Sequence, residues 1–387
     1  MDNKKIGSFT GLRFIMIMLI VMAHFEFLQG LPLLGTFYTK YLHNPTMAVD
    51  FFFLLSGFGM MISSIKKINS NEMTMPTFLN CIKYGIKHVK KIYPIYIFTI
   101  FFGFCFKIIF LIYESNVRTS TLITEFTKLI VNIFLLQSAT SMKFFTHAFN
   151  GVSWFLSTLF CIYLLAPLCI FILRKVSKSI FIDITFFIIN IFLVICLSFI
   201  YEKIEAKIHI IDYLNYGSPY KRLIYVLIGM NIALIFQRAR KYFDNYPETQ
   251  MSILESIICI ISIVYFFLRN SMPSGKYKYL IDIIVCSAFL FIFAFDKGYI
   301  SKILQRDKFQ KLGNMSMYIF LIHYPIRVYF GAIISNVFGW TWISCVLFLI
   351  FILLSTFTIS YIIFRIQNKW NKDVFYELSN RMETLND

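Results

Sequence analysis

Charge is scarce in this chain. Only 15% of its 387 residues are Asp, Glu, Lys or Arg, against about 25% in an ordinary soluble domain. A soluble fold of this length must cover its exterior with polar groups, and too few are present. Disorder is excluded as well, because 58% of the residues are hydrophobic and 19% aromatic. Acidic residues are scarcest of all, with 20 Asp and Glu against 37 Lys and Arg. In a soluble protein that imbalance would suggest nucleic acid; here no nucleic-acid partner is expected, and the placement of the cations carries the information. Paired cysteines are lacking too. The eight present are scattered through apolar stretches with no C-x-x-C spacing, so neither a zinc site nor a disulfide framework is expected. No His/Cys/Asp/Glu spacing suits a metal, and neither a G-x-S-x-G elbow nor a P-loop occurs.

What fills the chain is apolar, with a mean hydropathy of +0.70. A membrane helix needs about 20 mostly apolar residues. Such runs occur near 8–29, 45–65, 92–113, 153–173, 180–200, 221–237, 251–268, 279–296, 313–334 and 341–364. A weaker stretch at 120–137 contains Glu125, Lys128, Asn132 and Gln137. If it does not cross and the N-terminus is cytoplasmic, 23 cations fall in inner segments and 11 in outer ones, Lys221, Arg222 and Arg269 among the latter. Three more, Arg13, Lys107 and Arg327, lie within helices. Crossing at 120–137 would reverse the bias downstream. The expected fold is therefore all-α: a polytopic membrane protein with about ten transmembrane helices and both termini cytoplasmic. An outer loop at 114–152 would carry a re-entrant or interfacial helix. Residues 1–364 form the membrane domain and 365–387 a short cytoplasmic tail. Lys4 and Lys5 precede an apolar run as in a signal peptide, but no A-x-A site follows, so retention is expected.

Ionisable residues at bilayer depth are costly and usually face a cavity or a partner. Arg13 and His24 are 11 residues apart on the first helix, almost three turns, so they share a face about 16 Å apart along the axis. Asp50, near the outer end of the second helix, would lie at the depth of His24 and orient its imidazole. Ser56, Gly57 and Gly59 follow toward mid-membrane. His323 falls near the centre of the ninth helix, with Arg327 at i+4 on the same face. Pro325 can loosen the ladder between them. His43, His88, His147 and His209 are read as loop histidines.

Four stretches together resemble the acyltransferase family 3 integral membrane acyltransferases, which decorate bacterial surface glycans. GLRFIMIMLIVMAHF (11–25) is similar to the family's Arg/Lys, ten residues, His pattern. AVDFFFLLSGF (48–58) resembles D-x-F-F-x-x-S-G-F. KKIYPIY (90–96) resembles a basic-x-x-P-x-Y start to the third helix, and LGNMSMYIFLIHYPI (312–326) resembles L-G-x-x-S-x-x-I-Y-x-x-H-x-P-I. At 153–167 the chain departs from branches with a glutamate pair after the Trp: Leu159 and Phe160 stand there. It looks more like the branch acting on capsular and exopolysaccharides. The appended hydrolase-like domain of some members is not expected here, so acceptor choice is expected to reside in the membrane domain.

The resemblance implies acyl transfer, most often of acetyl, from cytoplasmic acetyl-CoA to a sugar hydroxyl at the outer face of the cell membrane. The acceptor would be a glycan or a lipid-linked sugar. No metal is expected. Arg13, Lys90 and Lys91 would bind the donor. His24 would act as general base or transient acyl carrier, oriented by Asp50. Ser56 would hydrogen-bond the thioester or oxyanion, His323 would line the same cavity, and Arg327 and Trp154 would contact substrate. An exporter or flippase for a polysaccharide or lipid-linked sugar is the alternative, although no inverted repeat or paired broken helices support it.

Overall fold

The computed structural model describes residues 6–67, 73–114, 118–269, 272 and 276–383. Lys4 and Lys5 lie outside the described residues. The chain is 82% helical, with no strand among the described residues. Helices follow in the order α1 (Gly7–Ala23), α2 (Leu34–Phe37), α3 (Thr46–Lys67), α4 (Phe78–Val89), α5 (Tyr93–Tyr113), α6 (Thr119–Ile133), α7 (Lys143–Thr146), α8 (Trp154–Val176) and α9 (Ile180–Lys207). Then come α10 (Leu214–Gly217), α11 (Pro219–Phe243), α12 (Glu248–Arg269), α13 (Lys276–Phe293), α14 (Tyr299–Leu304), α15 (Asp307–Pro325), α16 (Gly331–Phe338) and α17 (Trp342–Glu383). Each of the ten apolar runs coincides with a helix, and among the described residues eight helical segments have the length and apolarity to cross a membrane. The other two runs are α1, of 17 residues, and α13, which carries Lys276, Lys278 and Asp282. The protein is a multi-pass, all-α membrane protein.

Helix crossings are set by small residues. A Cβ on Gly57 would lie 2.0 Å from the Val226 carbonyl oxygen, and one on Gly229 would lie 2.0 Å from that of Leu54. The α3 and α11 backbones therefore touch, as close helix pairs in lipid do. Gly59 has open space instead. Helix starts are capped from afar. Asp296 accepts from the N–H groups of Gly7 (2.9 Å) and Ser8 (2.7 Å) at the head of α1. Glu255 accepts from Gly298 and Ser301 at the head of α14. Both carboxylates satisfy N–H groups that a helix leaves orphaned and sit at the positive end of its dipole.

The weak stretch at 120–137 forms α6, of only 15 residues. It runs back along α5: Phe126 meets Phe104 with ring centroids 5.2 Å apart, and Tyr96 donates to the Asn132 carbonyl at 2.5 Å. Tyr93, at the first turn of α5, donates to Ile133 O at 2.8 Å. The chain then returns with no helix but the single turn α7, and side chains satisfy its buried backbone. Ser157 donates to Leu135 O (2.7 Å), and Ser138 donates to Trp154 O (2.8 Å). Irregular backbone at depth is tolerated where protein covers it, and protein side chains cover it here. At the other end of the chain, α17 runs unbroken through residue 364 to Glu383. No helix break separates membrane domain from tail.

The cation count needs a correction. Lys221 and Arg222 belong to α11 and Arg269 to α12, and all three are buried rather than in outer loops. Arg269 pairs bidentately with Asp282, at 2.8 and 2.7 Å. Such pairing keeps a charge tolerable at depth.

Candidate active site

The apolar run at 8–29 stops being helical at Ala23, and His24 is its C-cap. The last carbonyls of a helix lack backbone partners; Nδ1 of His24 meets that of Ile20 at 2.8 Å. A carbonyl only accepts, so in the neutral ring Nδ1 carries the proton and Nε2 keeps its lone pair. Helix α15 packs along α1, with Gly313 so close to Thr10 that a Cβ would lie 1.7 Å from its carbonyl oxygen. This brings His323 to His24: Nε2 of His323 is 3.3 Å from Nδ1 of His24, and the ring centroids are 5.2 Å apart. Nδ1 of His323 faces Ile319 O at 3.1 Å, so the same argument leaves its Nε2 as an acceptor. His323 thus holds the His24 ring from behind, through the shared Nδ1 proton.

Pro325 has no N–H to give to Leu321 O and disturbs the ladder at that turn. Two consequences follow. The chain continues as a π segment, Ile326–Phe330, and the freed Leu321 carbonyl accepts from Asn150 Nδ2 at 2.9 Å. Asn150 also donates to Thr99 at 3.1 Å, tying the loop before α8 to α5 and α15. The π segment presents Arg327, which is ion-paired with Glu26.

These elements enclose a cavity of about 280 Å³. His24, Arg327, Ser316 and Trp154 line it, and so do His43, His147, Tyr213, Tyr216 and Tyr324. Trp154 stands edge-on to Tyr213 at 5.6 Å and tilted to Tyr216 at 5.3 Å. Tyr324 stands edge-on to His24 at 5.4 Å. His147 stands edge-on to Tyr213 at 4.9 Å, with Nδ1 2.9 Å from the Thr146 hydroxyl. Enclosure in the protein, with Lys143 adding to it, brings the His147 pKa down to about 4, so this imidazole is neutral near pH 7. An aromatic wall with a few neutral hydrogen-bonding groups suits a polar ligand that also offers apolar faces.

The other expected site residues sit elsewhere. Asp50 is fully buried and ion-paired with Arg222. It does not orient His24, whose Nδ1 is taken by Ile20 O and His323. Arg222 in turn donates to Tyr216 O at 2.7 Å and lies over the rings of Phe53, Tyr216 and Tyr225. A buried carboxylate recruits the nearest strong cation, and α11 supplies one where it crosses α3. Ser56 donates to Phe52 O at 2.8 Å and bonds Tyr163, which also interacts with Arg13. Arg13, Ser56 and Tyr163 therefore form a second polar group toward the N-terminal end of α1, apart from the cavity. Lys90 and Lys91 are exposed at the α4–α5 junction. Among the described residues, no group of three or more His, Cys, Asp or Glu side chains is placed to hold a metal ion.

Sequence reasoning missed His43, His147, Tyr213, Tyr216 and Glu26. One signal was available: of six histidines, three line this cavity and a fourth touches His24.

The acyltransferase domain family (acyltransferase family 3) matches residues 6–365. The chain belongs to that family and is a membrane acyltransferase. No curated protein and no solved structure matches it.

Proposed function

We propose that the protein is an O-acyltransferase of the cell membrane that moves an acyl group, in the first instance acetyl, from cytoplasmic acetyl-CoA to a hydroxyl of a surface or exopolysaccharide sugar. The observation that carries this is the 2.8 Å contact of His24 Nδ1 with the Ile20 carbonyl, which in a neutral ring leaves Nε2 unprotonated, in a residue on the wall of a cavity of about 280 Å³. Nε2 takes the proton of the acceptor hydroxyl as its oxygen attacks the thioester carbonyl. The tetrahedral intermediate collapses, the carbon–sulfur bond breaks, and the imidazolium returns its proton to the departing thiolate. His323, behind the ring, accepts from Nδ1 and stabilises the imidazolium.

Two features support the choice of substrates. Trp154, Tyr213 and Tyr216 offer flat apolar faces to a sugar ring, while Ser316, His147 and Arg327 offer hydrogen bonds to its hydroxyls. Arg327 is already matched by Glu26, which favours a neutral sugar over an acidic one. For the donor, Arg13 with Ser56 and Tyr163 gives a cationic, hydrogen-bonding site on the same face of α1 as His24, about 16 Å along the axis. CoA is polyanionic, and the cation-rich side of the protein would draw it there. Lys90 and Lys91 contribute to that field from the surface. Comparative NMR of the surface polysaccharide with and without the gene tests the reading. Loss of ester resonances from polymer that still reaches the surface is expected; loss of the polymer itself would point to transport and contradict it.

A further inference from the structure

A second cavity, of about 320 Å³, runs beside the first. Leu12, Met16 and Leu19 of α1 line it, while Ile17, Ile20 and Ala23 of the same helix line the His24 cavity. The short segment His43–Asn44–Pro45 divides them: His43 faces the first, Asn44 the second, and Pro45 both. From Leu19 to Leu12 the groove follows α1 for about 10 Å. Its floor is buried at Met16, Met47 and Ala48, whereas Ile15 (40% exposed) and Ile263 (56%) form a rim open to the side of the bundle. It has almost nothing to offer a polar ligand. Ser262 spends its hydroxyl on Ile258 O at 2.7 Å, and Asn44 Oδ1 accepts from Thr46.

We propose that this groove holds the aliphatic chain of the acceptor's lipid carrier, so that the sugar is acylated while still lipid-linked. The inference rests on the acyl-transfer reading of the His24 cavity and specifies its acceptor. A polar site and an apolar trough that meet at Pro45 match an amphiphile with its sugar at His24 and its chain laid along α1. The chain contributes apolar burial, and it fixes the sugar's position before reaction.

Photolabelling decides the point without relying on turnover. The full-length protein is placed in nanodiscs of phosphatidylethanolamine and phosphatidylglycerol with a dodecyl glucoside bearing a diazirine in its chain. Label is expected on the α1 and α12 peptides that border the groove. Excess unlabelled dodecyl glucoside should compete, and the same excess of dodecanol should not. Met16→Trp fills the floor and should lower labelling about tenfold, a loss of roughly 1.4 kcal/mol of binding. Ile263→Trp, at the exposed rim, should also lower it and leaves the core untouched. Label spread evenly over α9 and α17, competition by dodecanol as strong as by the glucoside, or indifference to both variants would mean that the groove holds bulk lipid, and would overturn the proposal. A long-chain acyl-CoA competing better than the glucoside would assign the groove to the donor and overturn it as well. Intact, competable labelling in a protein that transfers no acyl group would count against the transferase reading instead.

Discussion

Two groups of polar side chains lie deep in this helix bundle, and they differ in what they have left to give. In the first, Asp50 is matched to Arg222 and Asp282 to Arg269. Tyr265 adds a 2.8 Å hydrogen bond to Asp282, and Arg222 a 2.7 Å bond to Tyr216 O. Charges there are neutralised by one another, and neither Asp50 nor Asp282 lines the His24 cavity. In the second, His24 and His323 spend one nitrogen each on a backbone carbonyl, and His24 borders open space. Intramembrane polar residues are functional by default, and of these two groups it is the second that puts a side chain, His24, on the wall of a ligand-sized volume. The first holds the second's wall: Arg222 fixes the Tyr216 backbone, and Tyr216 packs on Trp154.

Substitutions can separate these roles. Arg222→Ala leaves Asp50 buried and unpaired, which is expected to destabilise the fold by about 3–5 kcal/mol, read as loss of folded protein in thermal unfolding. Replacing both partners by apolar residues, Asp50→Leu with Arg222→Met, should recover much of that loss. Failure to recover would mean the pair does more than neutralise itself. Arg13→Ala should leave the fold intact and weaken acyl-CoA binding by roughly tenfold to a hundredfold, the worth of one charge-assisted hydrogen bond of about 1.5–3 kcal/mol. Calorimetric titration of the purified protein checks it, and unchanged affinity would leave Arg13 an anchor.

A smaller effect is expected behind the reactive ring. His323→Phe removes one neutral hydrogen bond, worth about 1 kcal/mol, and should slow transfer roughly fivefold, while His323→Gln keeps an acceptor and should slow it less. Smallest is the pH effect of His147. Its folded pKa, about 4, lies below the ordinary 6.5, so its neutral form is favoured by folding. The associated stability is fully present above pH 6.5 and declines as pH falls toward 4. His147→Gln should flatten the acid side of a melting-temperature profile in that window, and an unchanged slope would place the imidazole in bulk solvent.

Much of the fold was legible because lipid imposes one rule, an apolar run of fixed length, and all ten runs are helical. The end of α1 was not. Phe25, Phe27 and Leu28 are as apolar as the helix before them, and the stop at Ala23 comes from His24 bonding Ile20 O and from the 3-10 turn Glu26–Leu28. That His24 and His323 share a neighbourhood was expected from the family resemblance rather than from depth; the close packing of α1 on α15 brings them together. Asp50 was placed at the level of His24, but depth carries no bearing around the helix axis, and its side chain points to α11 rather than α15. Arg222 was read as a loop cation because it stands next to the start of a helix, where sequence alone cannot tell an anchor from a buried partner. Tyr213 and Tyr216 lie in a short connection without periodicity, which acquires meaning only when α10 and α11 fold it over Trp154.

The account stands or falls on His24. A strain lacking the gene is complemented with wild type or His24→Ala at matched membrane levels, and ester groups on the purified surface polysaccharide are quantified by NMR. Loss of a general base lowers the rate about 10²–10⁴-fold, so the variant should return the polymer to the surface without detectable ester. Full esterification by His24→Ala would contradict the account.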